Sequence, residues 1–157
     1  MNRISIFLLG LLLSSAGLAE INWNDGKIKW YDYEEGIKAA ETQKKNVFLV
    51  VYADWCGVCK KYSKMFYNDE VIKQSENVIL IRLNQDTDTD KIKQSKLVGE
   101  YVPRSYILNS DFEIQTSPYR TKKFDYYLSP GKDDYLADMF EWLRYQFKNP
   151  LLDFKTE

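Results

Sequence analysis

The sequence predicts an α/β fold with a central mixed β-sheet flanked by helices. Three observations point to it. Two short apolar runs, VFLVVYA at residues 47–53 and VILIRL at residues 78–83, are rich in β-branched residues. Both read as strands buried on two faces, as in a parallel sheet. Helical patterns lie before and between these runs, and strands alternating with helices imply right-handed crossovers. A hairpin around Asn109-Ser110-Asp111 then makes the sheet mixed.

The elements follow in chain order. A short strand is expected at residues 27–30. Asp32-x-x-Glu35 has the form of a helix capping box, and Tyr33, Ile37 and Ala40 follow at helical spacing. That helix should end near Lys44 or Lys45, before the first strand. Cys56 opens the next helix, which runs to about Phe66. Asn68-Asp69 interrupts it, and Asp69 is placed to cap a second segment through Gln74. After the second strand, residues 89–98 read as a weaker helix, with Gly99 at its end. Residues 105–108 and 112–115 form the hairpin. Leu136, Met139, Phe140, Leu143 and Phe147 mark the inner face of a last helix that stops before Pro150. Residues 20–25 and 151–157 read as loose ends.

Residues 1–19 have the pattern of a cleaved secretory signal peptide: a basic start at Arg3, an apolar stretch at 4–13, and small residues at Gly17 and Ala19. The apolar stretch is short for a membrane span, which needs about 20 residues. Residues 20–157 then form one domain, with no membrane segment after cleavage. With 22 basic and 23 acidic side chains, the chain has no charge excess that would suggest a nucleic-acid partner. Export places the protein where thiols can oxidise.

Cys56 and Cys59 are the only cysteines, three positions apart in VYADWCGVCKKY. A disulfide between them closes a tiny loop and adds little by restricting the unfolded chain. The pair is better explained by chemistry. Cys56 lies where a buried strand meets a helix N-terminus, and unpaired N–H groups there favour a thiolate. An ordinary thiol has a pKa near ~8.5, and such sites reach ~7 or below. Cys56 is therefore the expected nucleophile and Cys59, one turn on, the resolving thiol. Structural zinc wants four Cys or His ligands. The chain has no histidine and no third cysteine, so no metal ligands are assigned.

Trp55-Cys56-Gly57-Val58-Cys59-Lys60 after an apolar strand resembles the thioredoxin superfamily, and the likeness runs from about Trp30 to Phe147. It implies a thioredoxin-like fold. Leu97-Val98-Gly99-Glu100-Tyr101-Val102-Pro103 is similar to the segment that ends in the family's cis-proline. The resemblance implies that Pro103 faces the cysteines and that Val102 offers its backbone to substrate. Trp55 and Arg104 are the further substrate-side candidates. Two subgroups are closer. Tyr101-Val102-Pro103-Arg104 with Ile107-Leu108-Asn109 is similar to the small endoplasmic-reticulum thioredoxin-like and anterior gradient proteins. Trp30, Ala39-Ala40, Lys45, Ala53-Asp54-Trp55-Cys56 and Asp69-Glu70-Val71 are similar to exported bacterial thioredoxin-like disulfide reductases. No retrieval tetrapeptide ends the sequence, which favours the bacterial periplasm over the ER lumen.

One departure matters. Val50 stands where thioredoxin has a buried aspartate that moves protons for the resolving thiol. Asp54 and Asp86 are candidate replacements, and Arg82 is expected to pair with Glu70 or Asp86. The aromatic stretch at residues 119–127 is a candidate substrate-facing loop or, with Tyr135, a second apolar cluster.

The resulting expectation is an exported thiol–disulfide oxidoreductase acting on protein disulfides. It needs no cofactor, is recycled by a redox partner protein, and acts as a monomer. Gly57-Val58 lacks the histidine cation of the family's strong oxidants, which favours a reducing pair. A thioredoxin-like binding protein for secreted clients, or a metal chaperone, are the rival classes. Activity that survives Cys56→Ser would mark the first, and thiol-dependent stoichiometric metal uptake the second.

Overall fold

The computed structural model describes residues 19–146, apart from Val98, Arg120 and Lys122. The expected leader, all but Ala19, lies outside the described residues, as do Phe147 and residues 151–157. The elements are β1 (Trp30–Tyr31), α1 (Tyr33–Gln43), β2 (Val47–Tyr52), α2 (Gly57–Tyr62), α3 (Asp69–Ser75), β3 (Ile79–Asn84), α4 (Thr89–Gln94), β4 (Arg104–Leu108), β5 (Ile114–Gln115) and α5 (Asp133–Gln146). A 3₁₀ turn, Ser63–Tyr67, continues α2 toward α3. The architecture is the expected α/β fold, with helices on both faces of a mixed sheet.

The sheet order is β1-β3-β2-β4-β5. β2 pairs parallel with β3, from Val47 opposite Ile79 to Tyr52 opposite Asn84. On its other side it pairs antiparallel with β4, Val50 opposite Ser105. All six β2 side chains are buried, because helices cover both faces. Both edges are short: β1 pairs two residues with β3, and β5 pairs two with β4. The chain leaves the β5 edge after Gln115 and returns at Tyr126, whose carbonyl accepts the Ser105 N–H at 2.7 Å.

Alternation along the strands makes two cores. Phe48, Val50, Tyr52, Leu80 and Ile107 face Tyr62, Phe66, Leu136 and Phe140 from α2, the 3₁₀ turn and α5. Leu49, Val51, Ile81, Leu83 and Tyr106 face Ala40, Ile92 and Leu97. Asp32 caps α1 by accepting the Glu35 N–H at 2.9 Å, and Lys44 ends that helix in the left-handed region. Gly36 lets α1 settle onto β3, since a Cβ there would collide with the Ile81 side chain.

Five local expectations are corrected. First, residues 20–25 are not a loose end. Trp23 is fully buried amid the rings of Trp30, Tyr52, Tyr62 and Phe66, which meet it edge-on with centroids 5.2–6.2 Å away. Asn24 donates to the Phe66 carbonyl at 2.8 Å. Ile21 and Trp23 give only two inward positions, too few to read as a period. Second, the first strand falls at Trp30–Tyr31 rather than at 27–30. Third, the cap of α3 is Asn68, one residue before the expected Asp69. Fourth, Arg82 pairs with Asp25 at 2.7 Å, and Glu70 pairs with Lys73 instead. Arg82 also lies over the Trp30 ring of β1. Fifth, α4 ends at Gln94, sooner than expected, where Lys96 turns left-handed. No helix among the described residues is long and apolar enough to cross a membrane.

Candidate active site

β2 ends at Tyr52, and Ala53 to Trp55 carry the chain over the end of the sheet. Cys56 then takes an extended backbone and caps α2. Cys56 and Cys59 are joined in a disulfide, with Cα atoms 5.2 Å apart. The Cys59 N–H donates to Cys56 Sγ at 3.0 Å. α2 has six residues, so the stabilisation of negative charge here comes from such local N–H groups more than from a long dipole. Both residues are buried, Cys56 5% exposed and Cys59 0%.

The Val102–Pro103 peptide bond is cis, and Pro103 is buried. The Val102 carbonyl oxygen lies 3.7 Å from Cys56 Sγ. Trp55 stands on another side, 54% exposed, with its Nε1 donating to the Asp86 carboxylate at 2.8 Å. Cys56, Cys59, Trp55 and Val102–Pro103 thus come together at one end of the sheet.

Arg104 is not part of that surface. It is 2% exposed and bonds Tyr106, Gln85 and the Tyr101 carbonyl. Ser105 beside it faces Tyr62, so alternation turns Arg104 toward the face away from α2. The expected contact with substrate is replaced by internal bonds.

The candidate proton acceptors are also occupied. Asp54 accepts the Ile21 N–H at 2.9 Å and the Asn84 side-chain amide at 2.8 Å. Asp86 accepts from Trp55. Val50 is fully buried between Arg82 and Ser105 on the neighbouring strands. Among the described residues, no group of three or more His, Cys, Asp or Glu side chains could hold a metal ion. Lys60 and Lys61 are exposed.

Residues of the aromatic stretch make ring contacts within the fold. Phe124 packs on Tyr101 at 4.6 Å, beside the proline turn. Tyr126 packs on Tyr106 at 4.6 Å, and Tyr119 stacks on Tyr135 at 4.9 Å.

Sequence reasoning missed the Tyr62–Ser105 pair. Their oxygens lie 2.7 Å apart, buried one turn below Cys59. A lone serine in an apolar strand was the available signal. Burial raises the Tyr62 phenol pKa above its usual 10.0, against a smaller lowering by the Ser105 hydrogen bond. The unfolded chain then releases this proton at lower pH than the folded protein. Stability from this group is fully present below pH 10 and falls above it, by about 1.4 kcal/mol per pH unit. Tyr62→Phe should cost about 1–3 kcal/mol at pH 7, because Ser105 loses its partner. It should also flatten the alkaline limb by about one proton. Urea midpoints from pH 8 to 11 measure both. An unchanged alkaline slope would mean that Tyr62 ionises in the folded protein as readily as in the unfolded chain.

A family model described as thioredoxin-like matches residues 29–110. The chain is 32% identical over 59 residues to the thiol:disulfide interchange protein DsbD of Pseudoalteromonas atlantica, covering 37% of this chain and 10% of that protein. It spans 10% to 55% of the length of the first curated relatives it matches. Among solved structures it is similar to the disulphide isomerase from Xylella fastidiosa Temecula1, with TM-score 0.54 and 18% identity over 69% of this chain and 86% of that one. It is also similar to the reduced C-terminal domain of Neisseria meningitidis DsbD, with TM-score 0.53 and 19% identity over 70% and 92%. At these identities the two structures speak to the fold alone.

Proposed function

The chain belongs to the thioredoxin-like family, and from that premise we propose that it is an exported thiol–disulfide oxidoreductase that reduces protein disulfides. One observation carries the proposal: a Cys56–Cys59 disulfide stands at the start of a helix, with Cys56 as its cap beside the cis Val102–Pro103 bond. In the reduced protein, the Cys56 thiolate attacks one sulfur of a client disulfide and expels the other as a thiolate. Cys59, losing its proton, then attacks Cys56 Sγ. The Cys56–Cys59 bond re-forms and the client's second thiolate leaves. Two electrons pass to the client, and its two thiolates take up protons, so the thiols alone balance the step.

The Val102 backbone, beside Cys56, suits pairing with an extended client segment by strand addition. Pro103 and Trp55 border that surface. The leader at residues 1–19 directs the chain across the inner membrane and is removed, and residues 20–157 work as a single domain in the bacterial periplasm. The likeness to thiol:disulfide interchange proteins supports recycling by a protein redox partner. Gly57 and Val58 are exposed and uncharged, so nothing between the cysteines favours the thiolate strongly enough to make the pair a strong oxidant.

The test is the reduction potential of the Cys56–Cys59 couple, with catalysed reduction of a protein disulfide measured alongside. A value near ~−270 mV agrees with a reductase, and one near ~−120 mV would make the protein an oxidant instead. A protein that speeds no exchange above the rate of a free dithiol would remove the enzymatic reading altogether.

A further inference from the structure

We infer that Arg104 is a positioning residue for the redox pair: its guanidinium fastens the Val102–Pro103 turn to the loop after β3, whose Asp86 holds Trp55. The role in turnover rests on the exchange with protein disulfides proposed above. The fastening itself does not.

Arg104 follows Pro103 directly and starts β4. Its Nη1 donates to the Tyr101 carbonyl at 2.6 Å and to Gln85 Oε1 at 2.9 Å. Its Nε donates to the Tyr106 hydroxyl at 3.0 Å. Tyr101 neighbours Val102, the residue whose carbonyl approaches Cys56. Gln85 neighbours Asp86, the acceptor for Trp55. Gln85 is itself pinned, since its backbone N–H donates to the Tyr52 carbonyl at 2.7 Å. One planar group therefore joins the two walls beside the disulfide. The backbone makes room for it. Gly99 has φ +124°, and a Cβ there would meet Arg104 Cδ at 2.6 Å.

Stability alone does not account for an arginine here. It is 2% exposed, and no ion pair among the described residues involves it. A buried charge bonded to neutral oxygens pays a desolvation cost that an apolar side chain of similar volume avoids. What arginine offers is reach and direction: Nη1 donates to both oxygens from a flat group oriented by the Nε bond to Tyr106, and the ammonium nitrogen of lysine ends one atom closer to the backbone than Nη1.

Four variants test the inference: Arg104→Met, Arg104→Lys, Gln85→Leu and Tyr106→Phe. Gln85→Leu cuts the link between the loops. Tyr106→Phe removes another bond of the same guanidinium and leaves the link in place. The first readout is backbone order by ¹⁵N relaxation. At Asp86, Tyr101 and Val102 it should fall from about 0.85 to about 0.6 in Gln85→Leu and both Arg104 variants, and hold in Tyr106→Phe. The second is kinetic. In the same three variants KM for a protein disulfide should rise about tenfold, with kcat within about twofold. Reaction with a small dithiol should stay within about twofold of wild type, because the cysteines themselves are untouched. Order retained in Gln85→Leu overturns the inference, as does full recovery of KM by lysine. If Arg104→Met does not fold, Gln85→Leu against Tyr106→Phe still decides. If the wild type reduces no protein disulfide, the functional reading fails while the order measurement still judges the fastening.

Discussion

Cys59→Ser should accumulate mixed disulfides with client proteins, while Cys56→Ser should trap none. The asymmetry comes from geometry. Cys59 is fully buried, and Cys56 is the residue that caps the helix. The Cys59 N–H already points at the Cys56 sulfur. Once Cys56 has attacked, release depends on the neighbouring thiol. Well-oriented intramolecular groups reach effective molarities of about 10⁵ M, so losing Cys59 should slow release by up to about 10⁸-fold against millimolar external thiol. Non-reducing gels after exposure to clients would show the trapped species. Alkylation of the reduced protein against pH gives an independent reading. Cys56 should react at the lower pH, because the thiolate is the nucleophile and the helix N-terminus favours its charge. Earlier reaction at Cys59 would reverse the two roles.

The second large effect is on stability. Trp23→Ala should cost about 3–5 kcal/mol, the range for emptying a large aromatic from a packed core. For a domain of this size that lowers Tm by about 10–15 °C. Four rings would lose their shared neighbour, and the Trp23 carbonyl that accepts from Trp30 Nε1 at 2.9 Å would shift. The loss should spread toward the cysteines, since the same segment binds Asp54 through the Ile21 N–H. Trp55→Ala, at a half-exposed tryptophan, should change stability by less than about 0.5 kcal/mol. Thermal and urea unfolding of the two variants side by side is the measurement. A cost below 1 kcal/mol at Trp23 would mean that the N-terminal segment is an ornament on an otherwise complete core.

The contrast between these two tryptophans shows what could be read from the sequence. Trp55 sits in a short motif with a mechanism attached, so its neighbourhood was legible. Trp23 sits in six residues with no period, and only tertiary packing reveals its place. The same holds elsewhere. β2 and β3 were legible because burial on both faces demands unbroken apolar runs. The capping of α1 was legible because Asp32 satisfies a backbone donor at fixed spacing. Arg104 was placed beside Cys56 because it adjoins Pro103. A strand sends successive side chains to opposite faces, and the parity that turned it away depends on a register that no local pattern prints. Arg82 and Asp25 lie far apart in sequence, so their pairing belongs to the fold.

The two-residue edges of the sheet have a consequence for association between chains. An exposed strand edge is a template on which other chains, including copies of the same one, can grow. Here the long strands β2, β3 and β4 are interior, and β1 and β5 each offer two residues of ladder. Past Gln115, the Ser105 N–H that would have continued the outer edge is already taken by Tyr126. Among the described residues, the two outermost strands thus leave little ladder on which a second copy could add strands.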